Sequence, residues 1–162
     1  MSVRHCVQCN AITKKGIRCK RITCKYTTYC WQHTQLIRKF SVKKSTIPGA
    51  GNGLFTLKNI KKGDRIIEYT GEIIDNDKDD NELSIYGIGI SNDKIIDAKS
   101  TQSELGRYSN DCRKESRRKK QCKNNNARFE DDGNDRVYLV ATKRIRIGEE
   151  IFTDYGNEYW QE

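Results

Sequence analysis

The stretch CVQCNAITKKGIRCKRITCKYTTYCWQH, residues 6–33, gathers the side chains that hold soft metals: Cys6, Cys9, Cys19, Cys24, Cys30 and His33. It contains almost no aliphatic core, so burial alone cannot hold it together. A zinc ion on four such ligands can, because metal binding and folding then become one free-energy event. Spacing leaves two ligand sets open. One is Cys9, Cys19, Cys30 and His33; the other is the two x-x-spaced pairs, Cys6/Cys9 and Cys30/His33. The seven cysteines follow no apolar N-terminal segment, so metal ligands or free thiols are expected rather than disulfides.

The other residues with chemical potential sit on elements of a different kind. From residue 41 onward, short β-type runs are punctuated by glycine. They predict strands at 40–43, 54–57, 65–69, 85–90, 95–98, 136–141 and 150–153. Helical periodicity is scarce, with one short helix expected at 103–108. Two segments echo each other: KNIKKGDRIIEYTGE from Lys58 and KRIRIGEEIFTDYGNE from Lys143. Lys, Ile, Gly, an acid and Ile recur at an offset of 85 residues. Each segment reads as a basic turn, a glycine, a strand, and a tyrosine followed shortly by another glycine. Two equivalent units are expected, with their ends, Tyr69 and Tyr155, facing one cleft.

Charge divides the chain in the same place. Residues 1–40 hold nine Lys/Arg and no Asp or Glu, whereas residues 41–162 hold twenty-two of each sign. The net charge of +9 therefore belongs to the head, 1–40, and the body, 41–162, is neutral. A basic head suits nucleic acid, a nucleosome or another acidic surface; the plainer reading is a solvated lysine-rich face. No run of eighteen apolar residues occurs, so neither a membrane span nor a secretory signal is expected. At 162 residues, one core-forming domain plus a small appendage fits.

Four ordered blocks in the body resemble the SET domain, the protein-lysine methyltransferase fold: GNGLF (51–55), EYTGEIID (68–75), IIDA…GRYSNDC (95–112) and VATKRIRIGEEIFTDYG (140–156). The ending DYGNEYW is similar to that of compact SET proteins of large viruses and protists. In the head, CNAITKKGIRC…YCWQH resembles a short motif found in large DNA viruses and in some plant and protist proteins. That likeness favours Cys9, Cys19, Cys30 and His33 as the zinc ligands and leaves Cys6 and Cys24 spare. The resemblance implies a mainly β fold of small curved sheets, with a C-terminal pseudoknot, behind a zinc knuckle.

It also implies methyl transfer from S-adenosylmethionine to a lysine amine. Asn52 and Gly53 would touch the cofactor's amino-acid end through main chain, where a glycine permits close approach. The block Arg107-Tyr108-Ser109-Asn110-Asp111-Cys112 would thread beneath the C-terminal segment, with Asn110 bonding the cofactor. Tyr155, a phenol whose ordinary pKa is near 10, would act as a fixed dipole beside amine and sulfonium, with Tyr69 across the channel. Presenting a neutral lysine at pH 7 costs roughly 4–5 kcal/mol, which burial and the sulfonium charge would lower. Tyr159 and Trp160 would lie over the adenine or simply plug the core.

The chain also departs from the family pattern. Asp111 stands where the family carries histidine, so only its backbone is carried over. A basic insertion follows at 113–123. Thr153 stands where an aromatic residue often limits the number of methyls added. The acids Glu68, Glu72, Asp75, Asp77, Asp79 and Asp80 would suit a basic histone-like tail. The resulting expectation is a chromatin-directed, intracellular lysine methyltransferase, nuclear or virus-associated. The rival from another class is a non-catalytic chromatin or nucleic-acid adaptor on a degenerate SET scaffold. A methyl-transfer assay separates the two.

Overall fold

The computed structural model describes residues 6–24, 28–75, 84–90, 93–100, 104–112, 124–156 and 159. In the head, β1 (Val7–Gln8) pairs antiparallel with β2 (Ile22–Thr23), and α1 (Trp31–Arg38) follows. The helix ends where Lys39 adopts a left-handed conformation (φ 61°) and its N–H closes on the carbonyls of Gln35 and Leu36. The body contains β3 (Phe40–Lys44), β4 (Asn52–Thr56), β5 (Arg65–Tyr69), β6 (Glu72–Asp75), β7 (Gly87–Ile90) and β8 (Lys94–Asp97). A 3-10 helix at Leu105–Tyr108, β9 (Ala127–Asp131), β10 (Val137–Ala141) and β11 (Glu150–Ile151) complete it. Among the described residues the sheets are β5-β10-β9, β11-β4-β3 and β6-β8-β7, all antiparallel. The fold is mainly β, as the residue pattern predicts.

The repeated segments are two halves of a pseudo-two-fold unit, and they exchange strands. β5 leaves the first turn and pairs with β10; β11 leaves the second turn and pairs with β4. Equivalent atoms make equivalent bonds. Gly63 N–H donates to Ala141 O and Gly148 N–H to Thr56 O, each at 2.8 Å. Asp64 and Glu149 carboxylates cap the turns by accepting from Lys61 and Arg146 N–H at 2.9 and 2.7 Å. Gly63 and Gly148 hold φ of 88° and 86°, a conformation that costs any residue with a Cβ. The pseudo-axis passes between Ile60 and Ile145, whose N–H groups donate to each other's carbonyls and whose side chains are buried. Around them Phe40, Leu54, Ile66, Ile67, Leu139 and Ile151 form the main core.

The chain then crosses itself. Asn110 bridges Phe152 in parallel and Ala127 bridges Thr153 in parallel, so residues 152–153 lie between the two segments. Thr153 N–H donates to Asn110 O at 2.8 Å, and Asn126 and Ala127 N–H both donate to Phe152 O at 2.9 Å. Thr153 is fully buried, and its hydroxyl lies 2.6 Å from that of Ser109. The strand expected at 150–153 therefore pairs as a ladder only through Ile151, and its remainder forms the crossing.

Other elements differ from the sequence expectation. The helix expected at 103–108 is a single 3-10 turn. β1, β2, β6, β9 and α1 are additional. α1 belongs to the charge-defined head yet packs on the body. Trp31 meets Tyr108 edge-on at 5.6 Å, Arg38 pairs with the buried Glu104 at 2.8 Å, and Gln35 Oε1 accepts from Val42 N–H at 2.7 Å. No helix among the described residues is long and apolar enough to cross a membrane.

Candidate active site and metal centre

The head folds around a cluster of polar ligands instead of an apolar core. Hydrogen bonds from Cys9 N–H to Arg21 O and from Cys19 N–H to Ala11 O, each 2.8 Å, fold the 9–21 loop inward. Residue 30 opens α1 and puts His33 one turn later on the same face. The ligand atoms of Cys9, Cys19, Cys30 and His33 all lie within 4.8 Å of one another. His33 Nδ1 is 3.5 Å from Cys9 Sγ and 3.3 Å from Cys30 Sγ. A tetrahedron of zinc–sulfur and zinc–nitrogen bonds has edges of about 3.6 Å, so the four residues fit zinc. Cys30 N–H donates to Cys9 Sγ at 3.2 Å, the outer-shell bond a thiolate ligand accepts. Burial pushes the Cys30 thiol up, but hydrogen bonds from His33, Cys9 and Arg21 outweigh it and hold the pKa at about 6. For Cys19 a backbone bond from Arg21 pulls down, yet burial and the two neighbouring thiols leave it raised.

Cysteine pairing corrects one expectation. Cys6 and Cys24 form a disulfide, with Cα atoms 4.2 Å apart. The physical cause is register: Val7 faces Thr23 across the β1–β2 ladder, so the next pair outward is 6 and 24. Cys112, in the body, is also disulfide-bonded. Cys9, Cys19 and Cys30 remain thiols.

In the body, the chain crossing assembles the second site. Asn110 Nδ2 donates to the carbonyl of Asn52 at 3.0 Å, joining the 107–112 block to the GNG turn. Gly51 holds φ of 71°, and a Cβ on it would meet nothing within 4 Å among the described residues, which leave that side of the turn open. A Cβ on Gly53 would collide with Glu150 Oε1, so packing within the chain also requires glycine there. The Asp111 side chain is engaged at the crossing, where the resemblance carries over only its backbone. Buried, it accepts from Tyr155 N–H and from Asn125 Nδ2, both at 2.9 Å, and so clamps the two crossing segments. Tyr155 O–H donates to Ser109 O at 2.8 Å, which points the phenol back along the crossing.

Tyr155 packs on Tyr159 and Tyr69 on Phe129, and Tyr155 feels Tyr69 electrostatically. Burial raises the Tyr155 pKa well above the ordinary phenol value, and Tyr159, Tyr69, Asp111 and Tyr86 add to the rise. Burial also raises that of Tyr69, against a pull from Arg107; its hydroxyl donates to Tyr86 O at 3.0 Å. The Arg107 guanidinium sits 4.4 Å from the Tyr86 ring centroid and 5.3 Å from that of Tyr108. Its Nε is buried with no hydrogen-bond partner among the described residues. Tyr159 packs edge-on to Tyr155, centroids 4.8 Å apart. Trp160, Asp77, Asp79, Asp80 and the insertion 113–123 lie outside the described residues. Of the remaining acids, Glu68 is taken by a two-pronged pair with Arg136 (3.0 and 2.8 Å), while Glu72 and Asp75 are exposed on β6.

Crossed segments, paired turns and an asparagine tied to a glycine turn together define a class of fold, and residues 51–156 match the SET domain. The chain belongs to the SET-domain family. It is 27% identical over 140 residues to histone-lysine N-methyltransferase EZH2 of Chaetomium thermophilum, covering 72% of this chain and 8% of that protein. It is 25% identical to histone-lysine N-methyltransferase ASHH3 of Arabidopsis thaliana, covering 82% and 35%. Against Set1 of Dictyostelium discoideum identity is 35%, covering 64% and 7%. The chain thus spans 35% or less of the length of these relatives. Among solved structures, Chaetomium thermophilum polycomb repressive complex 2, autoinhibited and bound to S-adenosylmethionine, matches at 26% identity and TM-score 0.55. The match covers 73% of this chain and 15% of that one. The same complex with H3K27me3 and H3K27M matches at 25% identity and TM-score 0.55, covering 73% and 14%.

Proposed function

We propose that the chain is an S-adenosylmethionine-dependent protein-lysine N-methyltransferase whose substrate is a histone tail or a similar basic, chromatin-associated segment. The observation that carries this reading is the crossing. It brings Asn110 to the Asn52 carbonyl and Tyr155 to the Ser109 carbonyl in a single local site. The residues present fit the cofactor. Among the described residues the turn at Gly51 is open and Asn110 Oδ1 accepts no hydrogen bond. Asn52, Gly53, Arg107, Tyr108, Asn110 and Asp111 would hold it, with Asn110 facing its amino-acid end.

When bound, S-adenosylmethionine supplies an electrophilic methyl group. The protein's part is positioning. Tyr155, kept protonated by burial, orients the attacking amine with its oxygen, and Tyr69 walls the other side. Neither phenol removes a proton from the lysine, because each holds its own too tightly. The amine must arrive neutral, helped by desolvation. Zinc on Cys9, Cys19, Cys30 and His33 would fix the head, whose basic surface would meet nucleic acid or a nucleosome. Histone-lysine methyltransferases as relatives support an intracellular, nuclear setting. Transfer of a tritiated methyl group to core histones tests the reading. Binding of S-adenosylmethionine without transfer to histones or a cell lysate would sink it in favour of a non-catalytic adaptor.

A further inference from the structure

Glu150 is a charged residue buried in the body, in β11 and 5% exposed. Its carboxylate gathers three distant pieces of chain. Oε1 accepts from Ser45 Oγ at 2.6 Å, while Oε2 accepts from Thr46 N–H at 2.8 Å and from Thr46 Oγ1 at 2.5 Å. Oε1 also fills the space where a Cβ on residue 53 would stand, and lies 3.5 Å from Asn110 Nδ2. The main chain is pinned as well, since Glu150 O accepts from Asn126 Nδ2 at 2.8 Å. The three pieces held by the carboxylate are the turn just after β3, the GNG turn and the 107–112 block.

Asn110 could turn its amide either way in an open site. Here its nitrogen faces the Asn52 carbonyl and the Glu150 carboxylate, and both can only accept. A flipped amide would set Oδ1 against two acceptors, one of them a carboxylate. Fixing the nitrogen fixes the oxygen, which is left facing away from both with no donor among the described residues. We propose that Glu150 is a positioning residue: it locks the Asn110 amide so that Oδ1 is presented to the ammonium of the cofactor's amino-acid end. This inference rests on the methyltransferase reading and names the residue that sets its cofactor specificity.

Glu150→Gln tests it, because glutamine keeps the size but offers an NH2 that can face the Asn110 amide and remove its preference. Affinities are measured for S-adenosylmethionine, S-adenosylhomocysteine and 5′-methylthioadenosine, which lacks the amino-acid end. The first two are expected to bind about tenfold more weakly, the scale of a charge-assisted contact, and the third unchanged. In an Asn110→Ala background, Glu150→Gln should cause no further loss. A purely structural role predicts equal loss for all three ligands, or none, with additive effects in the double variant; either result overturns the inference. If Glu150→Gln melts at room temperature, Ser45→Ala, which strips a donor from Oε1, is measured instead. It should show the same ligand pattern at smaller amplitude, and equal loss for all three ligands would overturn the inference. Wild-type protein that binds none of the three overturns the methyltransferase reading itself, whereas intact wild-type binding with an indifferent Glu150→Gln overturns only this inference.

Discussion

Tyr155 retains its proton because burial withholds water from the phenolate, and that has two measurable consequences. The first concerns chemistry. Tyr155→Phe keeps the ring and its packing on Tyr159 but removes the hydroxyl dipole. Turnover should fall by roughly 10²–10³, the scale of losing one preorganised polar group, while S-adenosylmethionine affinity falls much less. Paired methyl-transfer and binding measurements on a folded sample check this, and near wild-type turnover would refute the assignment. The second concerns pH. Tyr69 and Tyr155 both have folded pKa values above the unfolded value near 10, so the folded state holds these protons more tightly. Their contribution to stability is complete below pH ~10 and is lost as pH rises beyond it, because the unfolded chain releases the protons first. Melting temperature should therefore drop between about pH 9.5 and 11, and the drop should be shallower in Tyr69→Phe and Tyr155→Phe. An unchanged slope in both variants would contradict this.

At the scale of elements, symmetry and metal each make a demand. Gly63 and Gly148 occupy equivalent left-handed positions, so Gly63→Ala and Gly148→Ala should each destabilise by about 1–2 kcal/mol, and by similar amounts. Unequal melts would mean the turns are not equivalent in energy. The head should bind about one zinc per chain, lost in Cys19→Ser and retained in Cys6→Ser, as read by elemental analysis. Zinc retained in both would exclude this ligand set. The elements also show what residue patterns could reveal. RIIEY at β5 was legible to the residue, because β-branched neighbours flank a turn glycine. The repeat was legible because its partners share one offset. α1 was hidden: eight residues, mostly polar, sit among cysteines whose spacing points to a metal instead of a helix. β9, ARFED, carries one large apolar residue and gives little alternation. Asn110 and Tyr155 stand inside recognisable blocks. Glu150 and Asp111 stand inside the same blocks, but what their side chains do leaves no local trace, because their partners Thr46 and Tyr155 lie 104 and 44 residues away.

Taken whole, the molecule is less divided than its charge. The basic excess ends near residue 40, but Trp31 and Arg38 are bound to Tyr108 and Glu104. Deleting residues 1–38 should destabilise the body, since it strips the half-buried Trp31 from Tyr108 and Arg38 from Glu104, together worth about 1–3 kcal/mol. Deleting 1–28 should spare most of that stability while weakening any salt-dependent binding to duplex DNA. Equal melting temperatures for the two truncations would show that α1 is a passive appendage. The exchanged strands also constrain the order in which the chain can fold. β5 waits for β10 and β4 waits for β11, so the first sheet is incomplete until residue 141 has been made and the second until residue 151. Loop closure over such separations is slow, and an unfinished chain exposes two unmatched strand edges to whatever protein is nearby. A nascent chain stalled before residue 137 should therefore be a chaperone client, and one released after residue 156 should not.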